Sequence, residues 1–154
     1  FQSWQYRMIE FVAGNRNPAL IGPHAHRPEL ADALRDELAR PSLYAVVLGR
    51  LAEAGFDVAP PADVAAPTRP DPAARAAWGA VYADPQRYWS LYELAEKLVD
   101  FEDYFRRWRF NHLTTVERII GFKRGTGGTA GVDYLRRMLD VVLFPDLWDL
   151  RSAL

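Results

Sequence analysis

Cysteine is absent from the 154 residues, which excludes disulfides, thiolate metal ligands, iron–sulfur clusters and Cys nucleophiles together. Histidine is scarce, at three residues, so any transition metal must rest on one of them or on carboxylates. Charge of one sign is also lacking: 19 Lys and Arg stand against 20 Asp and Glu, a net charge of −1. That balance argues against a general nucleic-acid binder and against a basic membrane-surface protein. No apolar run approaches the ~20 residues that span a bilayer, so no membrane role is expected. The opening Phe1-Gln2-Ser3-Trp4-Gln5-Tyr6-Arg7 has no basic stretch followed by an apolar one and does not read as a signal peptide. It also has no initiator Met and no evident helix N-cap, so the chain reads as one that begins inside something larger. What is present is 49% hydrophobic and 13% aromatic, unlike a disordered chain. Its length suits one domain, residues 1–154.

Hydrophobic spacing gives the fold class. Residues 1–13 place Phe1, Trp4, Met8, Ile9, Phe11 and Val12 near a 3.6-residue period, and Gly14-Asn15 reads as the helix end. Residues 15–28 read as a loop, with Pro28 opening a helix to about Ala39. Pro41 is expected to restart a helix through Leu43, Val47 and Leu51, closed by Gly55. Residues 58–72 hold five prolines among small residues and read as a loop rather than a domain boundary. Asp84-Pro85 then reads as the N-cap and first position of a long helix over about residues 85–122. Its seam runs Leu91, Leu94, Leu98, Phe101, Phe105, Trp108, His112, Val116 and Ile119, in steps of three and four. Shorter helices follow around Val132, Leu135, Met138 and Leu139, and from Phe144-Pro145 through Leu150. Nothing alternates with period two, so the expected fold is an all-α helical bundle around one long helix.

Three features could carry chemistry. His112 lies on the seam one turn from Trp108 and Val116, which fits a buried hydrogen-bonded imidazole. That plain reading comes first on position alone; the same setting also suits axial haem ligation, since an apolar wall covers a macrocycle while one ring nitrogen stays available to iron. No second ligand stands at zinc-site spacing. The stretch Gly125-Thr126-Gly127-Gly128-Thr129-Ala130-Gly131 exposes backbone amides before a helix, a place suited to a carboxylate or phosphate. It lacks the Gly-Lys-Ser/Thr ending of a P-loop, and a plain helix connector is its alternative. Thr126 stands fourteen residues past His112, about 20 Å along a regular axis, so the stretch must fold back to meet a ligand there. His24-Ala25-His26 sits between prolines with no third ligand, which disfavours a metal site. Glu93, Glu96, Asp100, Glu102 and Asp103 read as the solvated face of the long helix.

The segment Arg107-Trp108-Arg109-Phe110-Asn111-His112-Leu113-Thr114-Thr115-Val116-Glu117-Arg118, continuing to Gly128, closely resembles the signature of the tryptophan 2,3-dioxygenase family. Phe1 to Phe11, Gly14-Asn15-Arg16-Asn17 and Phe144 to Arg151 resemble the same family, so the likeness spans essentially the whole chain. The resemblance implies an all-helical, homotetrameric, cytoplasmic enzyme with haem b as cofactor. Such an enzyme inserts both atoms of O₂ across the indole C2–C3 bond of L-tryptophan, giving N-formylkynurenine in the kynurenine pathway. His112 matches the proximal haem ligand and metal site. Thr126 matches the threonine that contacts the substrate's amino-acid head group, with Gly125 beside it; Thr129-Ala130 stands where two serines are common. The family's distal histidine and carboxylate-binding residues lie upstream of the position matching Phe1, which implies an N-terminal segment removed or supplied as a separate partner chain, or a natural short relative, and little turnover by this piece alone. The alternatives are a haem-dependent relative that monooxygenates a substituted tryptophan or indole, and a non-catalytic haem-binding module.

Overall fold

The structure, a computed structural model, describes residues 3–121 and 132–151. Among them are seven α-helices, one 3₁₀ segment and no strand, as the periodicity predicts. The first helix, α1 (Trp4–Ala13), does have a cap: the Ser3 hydroxyl accepts from the Tyr6 N–H at 3.3 Å. It ends at Gly14, with φ 134° and its N–H on the Glu10 carbonyl. The buried face differs from the expected one. Tyr6, Arg7, Glu10, Phe11 and Ala13 are buried, whereas Ile9 and Val12 are exposed. An Arg7–Glu10 ion pair, three residues apart, turns two charges inward and reads as polar in any hydrophobicity pattern.

The expected loop after α1 contains a 3₁₀ segment, Pro18–His24, opened by the Asn17 side chain accepting from the Ala19 N–H. Next come α2 (Pro28–Leu38) and α3 (Leu43–Glu53). Ser42, not Pro41, starts α3, its hydroxyl accepting from the Ala45 N–H at 3.1 Å. Arg16 joins these parts. Its buried guanidinium donates to the carbonyls of Phe11, Glu37, Leu38, Arg40 and Val64, which ties α1, the end of α2 and the proline-rich loop together. The loop closes on α1 through the Thr68 N–H, which donates to the Gly14 carbonyl at 2.8 Å.

The helix α4 (Pro72–Ala83), capped by Asp71, has no counterpart in the sequence reading. Its buried face is Ala74, Ala77, Trp78 and Val81, a helical period written mostly in alanine. The long helix, α5, spans Trp89–Ile120, 32 residues, and is shorter than expected at both ends. Asp84 closes α4 instead of capping α5, and its carboxylate accepts from the Arg87 N–H, so 85–88 form a turn. At the far end Gly121, with φ 59°, stops α5. Two short helices, α6 (Val132–Leu139) and α7 (Pro145–Arg151), lie where the spacing placed them.

The main core gathers Trp78 of α4, Tyr44 of α3, Leu98 and Phe105 of α5, Phe144 just before α7 and Leu147 of α7. A second cluster packs Phe11, Ile21, Leu34 and Leu38 between α1, the 3₁₀ segment and α2. A third joins Leu113 to Val132 and Leu135 of α6.

The rotation of α5 departs from the seam. Its buried line is Ala95, Leu98, Glu102, Phe105, Arg109 and Leu113, while Phe101, Trp108 and Ile119 are exposed. Adjacent residues differ by ~100° around a helix, so burying Glu102 turns Phe101 outward. Glu102 is not on a solvated face. Its two carboxylate oxygens accept from the N–H groups of Leu143 and Phe144, each at 2.9 Å, at the entrance to α7.

Glu102→Gln points an amide N–H₂ at one of those donors, and leaving a buried N–H unsatisfied costs about 2 kcal/mol. Urea unfolding should show that loss. Gly14→Ala should also destabilise, because the residue holds a positive φ and an added Cβ lies 2.1 Å from the Thr68 hydroxyl oxygen. Its cost should reach about 2 kcal/mol, the usual range for backbone strain, and an unchanged midpoint would contradict the close approach.

Candidate functional site

A run of flat rings lies along one side of α5. Phe101 stacks on Phe105 (6.2 Å between centroids, 10° between planes), Phe105 on Trp108 (5.9 Å, 4°), and Trp108 on His112 (5.4 Å, 8°). The spacing of 4, 3 and 4 residues puts them on one stripe. Tyr6 of α1 adds a ring that stacks on Phe105 at 5.2 Å and on Trp108 at 5.7 Å. Tyr6, Phe101, Phe105 and Trp108 open onto an apolar cavity of about 390 Å³, lined also by Ile9 and Tyr104, with His112 beyond its lining.

His112 ends the run, half-buried. Burial lowers its pKa below the ordinary histidine value, because desolvation disfavours the imidazolium. A neutral imidazole keeps a lone pair for a metal or a hydrogen bond. Of the predicted seam, Leu98 and Phe105 lie in the core, and the exposed Phe101 and Trp108 line the cavity.

A buried polar cluster stands behind the rings, and the sequence reading had no place for it. Arg7 pairs with Glu10 and also donates to the Tyr134 hydroxyl of α6. The Asn15 amide donates to the other Glu10 oxygen at 3.1 Å. Arg109, 4% exposed, donates from Nη1 to the Met138 carbonyl at 2.6 Å, and its guanidinium lies 5.2 Å from the Phe105 ring centre. Burial, aided by the Glu10 charge, raises the Tyr6 phenol above its ordinary value. The one available signal was charged residues falling at helical spacing on faces that must be inward.

The other sequence candidates are not brought to this place. His24 is buried at the end of the 3₁₀ segment, where desolvation lowers its pKa, and His26 is exposed. Among the described residues no group of three or more His, Cys, Asp or Glu stands together. Gly125 and Thr126, with the rest of the glycine-rich stretch, lie outside the described residues. No described helix is long and apolar enough to cross a membrane.

Residues 72–154 match the family model described as tryptophan 2,3-dioxygenase. The whole chain aligns with proteins named tryptophan 2,3-dioxygenase from Bradyrhizobium sp. strain BTAi1 and from Ruegeria pomeroyi, each 62% identical and each covered over 56% of its length. It aligns likewise with one from Burkholderia pseudomallei, 58% identical and covered over 51%. The chain thus spans about half the length of the curated relatives it matches.

The lowered His112 pKa has a signed consequence. The unfolded chain takes up a proton near pH 6.5 before the folded one does, so this group's contribution to stability is full above that pH. It falls away as pH drops toward the folded pKa. Histidine Cε1 proton NMR of the ligand-free chain should give His112 a midpoint below 6.5, and a midpoint at or above that value would contradict its burial.

Proposed function

The chain belongs to the tryptophan 2,3-dioxygenase family, and on that premise we propose that it is the haem-holding part of an enzyme that cleaves the indole C2–C3 bond of L-tryptophan. Both atoms of O₂ enter the product, N-formylkynurenine, so the overall reaction needs no external reductant. The observation that carries this reading is His112, a neutral half-buried imidazole stacked at the end of a row of flat apolar rings. Its donor set fits a flat iron porphyrin. One nitrogen ligand suffices because the macrocycle supplies four more, whereas a bare ion needs several protein ligands.

His112 is the residue that would hold the iron, with Trp108 stacked on the imidazole to restrict its rotation. When bound, haem supplies the O₂ chemistry that ring cleavage requires. The protein's part is binding, orientation and exclusion of water. Trp108, Phe105 and Tyr6 present apolar surface beside the imidazole, which keeps water from the reacting region. Thr126 would engage the substrate's amino-acid head group, with Gly125 permitting close backbone approach, so the indole is held in one orientation. Residues 1–154 form one helical domain in this reading, in a cytoplasmic homotetramer.

Titrating the purified chain with ferric haem should give a Soret band characteristic of histidine ligation, and His112→Ala should abolish that signature. The mutant is expected to bind haem at least about tenfold more weakly, the loss of roughly 1.4 kcal/mol or more of ligation. An identical Soret band and affinity in His112→Ala would overturn axial ligation by this residue.

A further inference from the structure

The buried cluster between α1, α5 and α6 is short of one negative charge. Its cations are Arg7 and Arg109, and its one carboxylate is Glu10, already held by Arg7 and Asn15. Arg109 makes no ion pair among the described residues. Its Nη1 has the Met138 carbonyl, but Nε and Nη2 are buried with no hydrogen-bond partner. An unpaired cation out of water costs several kcal/mol, and orphaned buried donors are rare in native proteins.

The orphaned atoms are adjacent on one edge of the guanidinium. That edge presents two parallel N–H groups, the fork that matches the two oxygens of a carboxylate. Phe105, against whose ring the guanidinium lies, also lines the open cavity, as does Tyr6, whose phenol senses the Arg109 charge. His112 is one turn along the same helix, at the end of the same run of rings.

We propose that the Nε–Nη2 edge of Arg109 is the seat of a carboxylate that the described residues do not supply. Two sources share that chemistry: an acidic group at the edge of a bound porphyrin, and an acidic side chain of a polypeptide segment packed against the cavity. The seat stands on the buried charge, independently of axial ligation by His112.

The test uses the chain with its Arg109→Gln and Arg109→Lys variants, each first checked for helicity by circular dichroism. Metal-free protoporphyrin IX and its dimethyl ester, which lack iron and so bypass His112, are titrated by fluorescence. A porphyrin source makes the free acid bind wild type about tenfold more tightly than the ester, with the preference lost in Arg109→Gln and partly kept in Arg109→Lys. A polypeptide source leaves acid and ester equal, but acetate then raises the wild-type melting temperature above that in chloride of equal ionic strength, and does not do so for Arg109→Gln. Absence of both effects in wild type, or their persistence in Arg109→Gln, overturns the proposal. Failure of the haem reading shows separately, as a ferric-haem spectrum indifferent to His112→Ala.

Discussion

Two charged side chains on the core face of α5 fix how that helix is turned, and the site follows from the turn. Glu102 takes the N–H groups of Leu143 and Phe144 at the start of α7, and Arg109 takes the Met138 carbonyl at the end of α6. A desolvated charge tolerates little displacement from its partners, since breaking such a contact leaves it unpaired out of water. With 102 and 109 held inward, Phe101, Trp108 and His112 fall at the edge of the core instead of its centre. An imidazole at that edge is dry enough to stay neutral and open enough to meet a ligand.

The same constraint explains why an apolar stripe is left partly uncovered. Trp108 is 43% exposed and Phe101 39%, values unusual for large rings at a helix midpoint. Tyr6 covers one side through stacking on Phe105 and Trp108. The remaining side opens to the cavity, and an aromatic wall next to a single nitrogen donor is the environment a flat prosthetic group needs. The curated relatives, nearly twice as long, align with this chain along its whole length at 62% identity.

The α1 segment joins α6 and the proline-rich loop to the ring stripe of α5. Its Tyr6 stacks on α5, its Arg7 reaches Tyr134 of α6, and its C-terminal Gly14 receives the proline-rich loop. Arg16, just beyond, gathers five backbone carbonyls from three segments. Arginine suits such a hub because its planar fork offers five donors in fixed directions. A loop with five prolines has few N–H groups to give, and the Val64 carbonyl finds its partner in the Arg16 side chain.

Helix content, the long α5 and the last two helices were determined by the sequence itself, because a 3.6-residue period and glycine or proline punctuation are local properties. The family resemblance was legible for the same reason: it rests on contiguous residues around His112. Tertiary structure alone decided the rest. An alanine-built helix such as α4 shows little contrast between faces until Trp78 is seen buried. Charged residues such as Arg7, Glu10, Glu102 and Arg109 read as solvated until their distant backbone and side-chain partners are in place. Which side of α5 faces inward was a choice between positions one residue apart. Hydrophobicity favoured Phe101, and hydrogen bonds from Leu143 and Phe144, just before α7, chose Glu102.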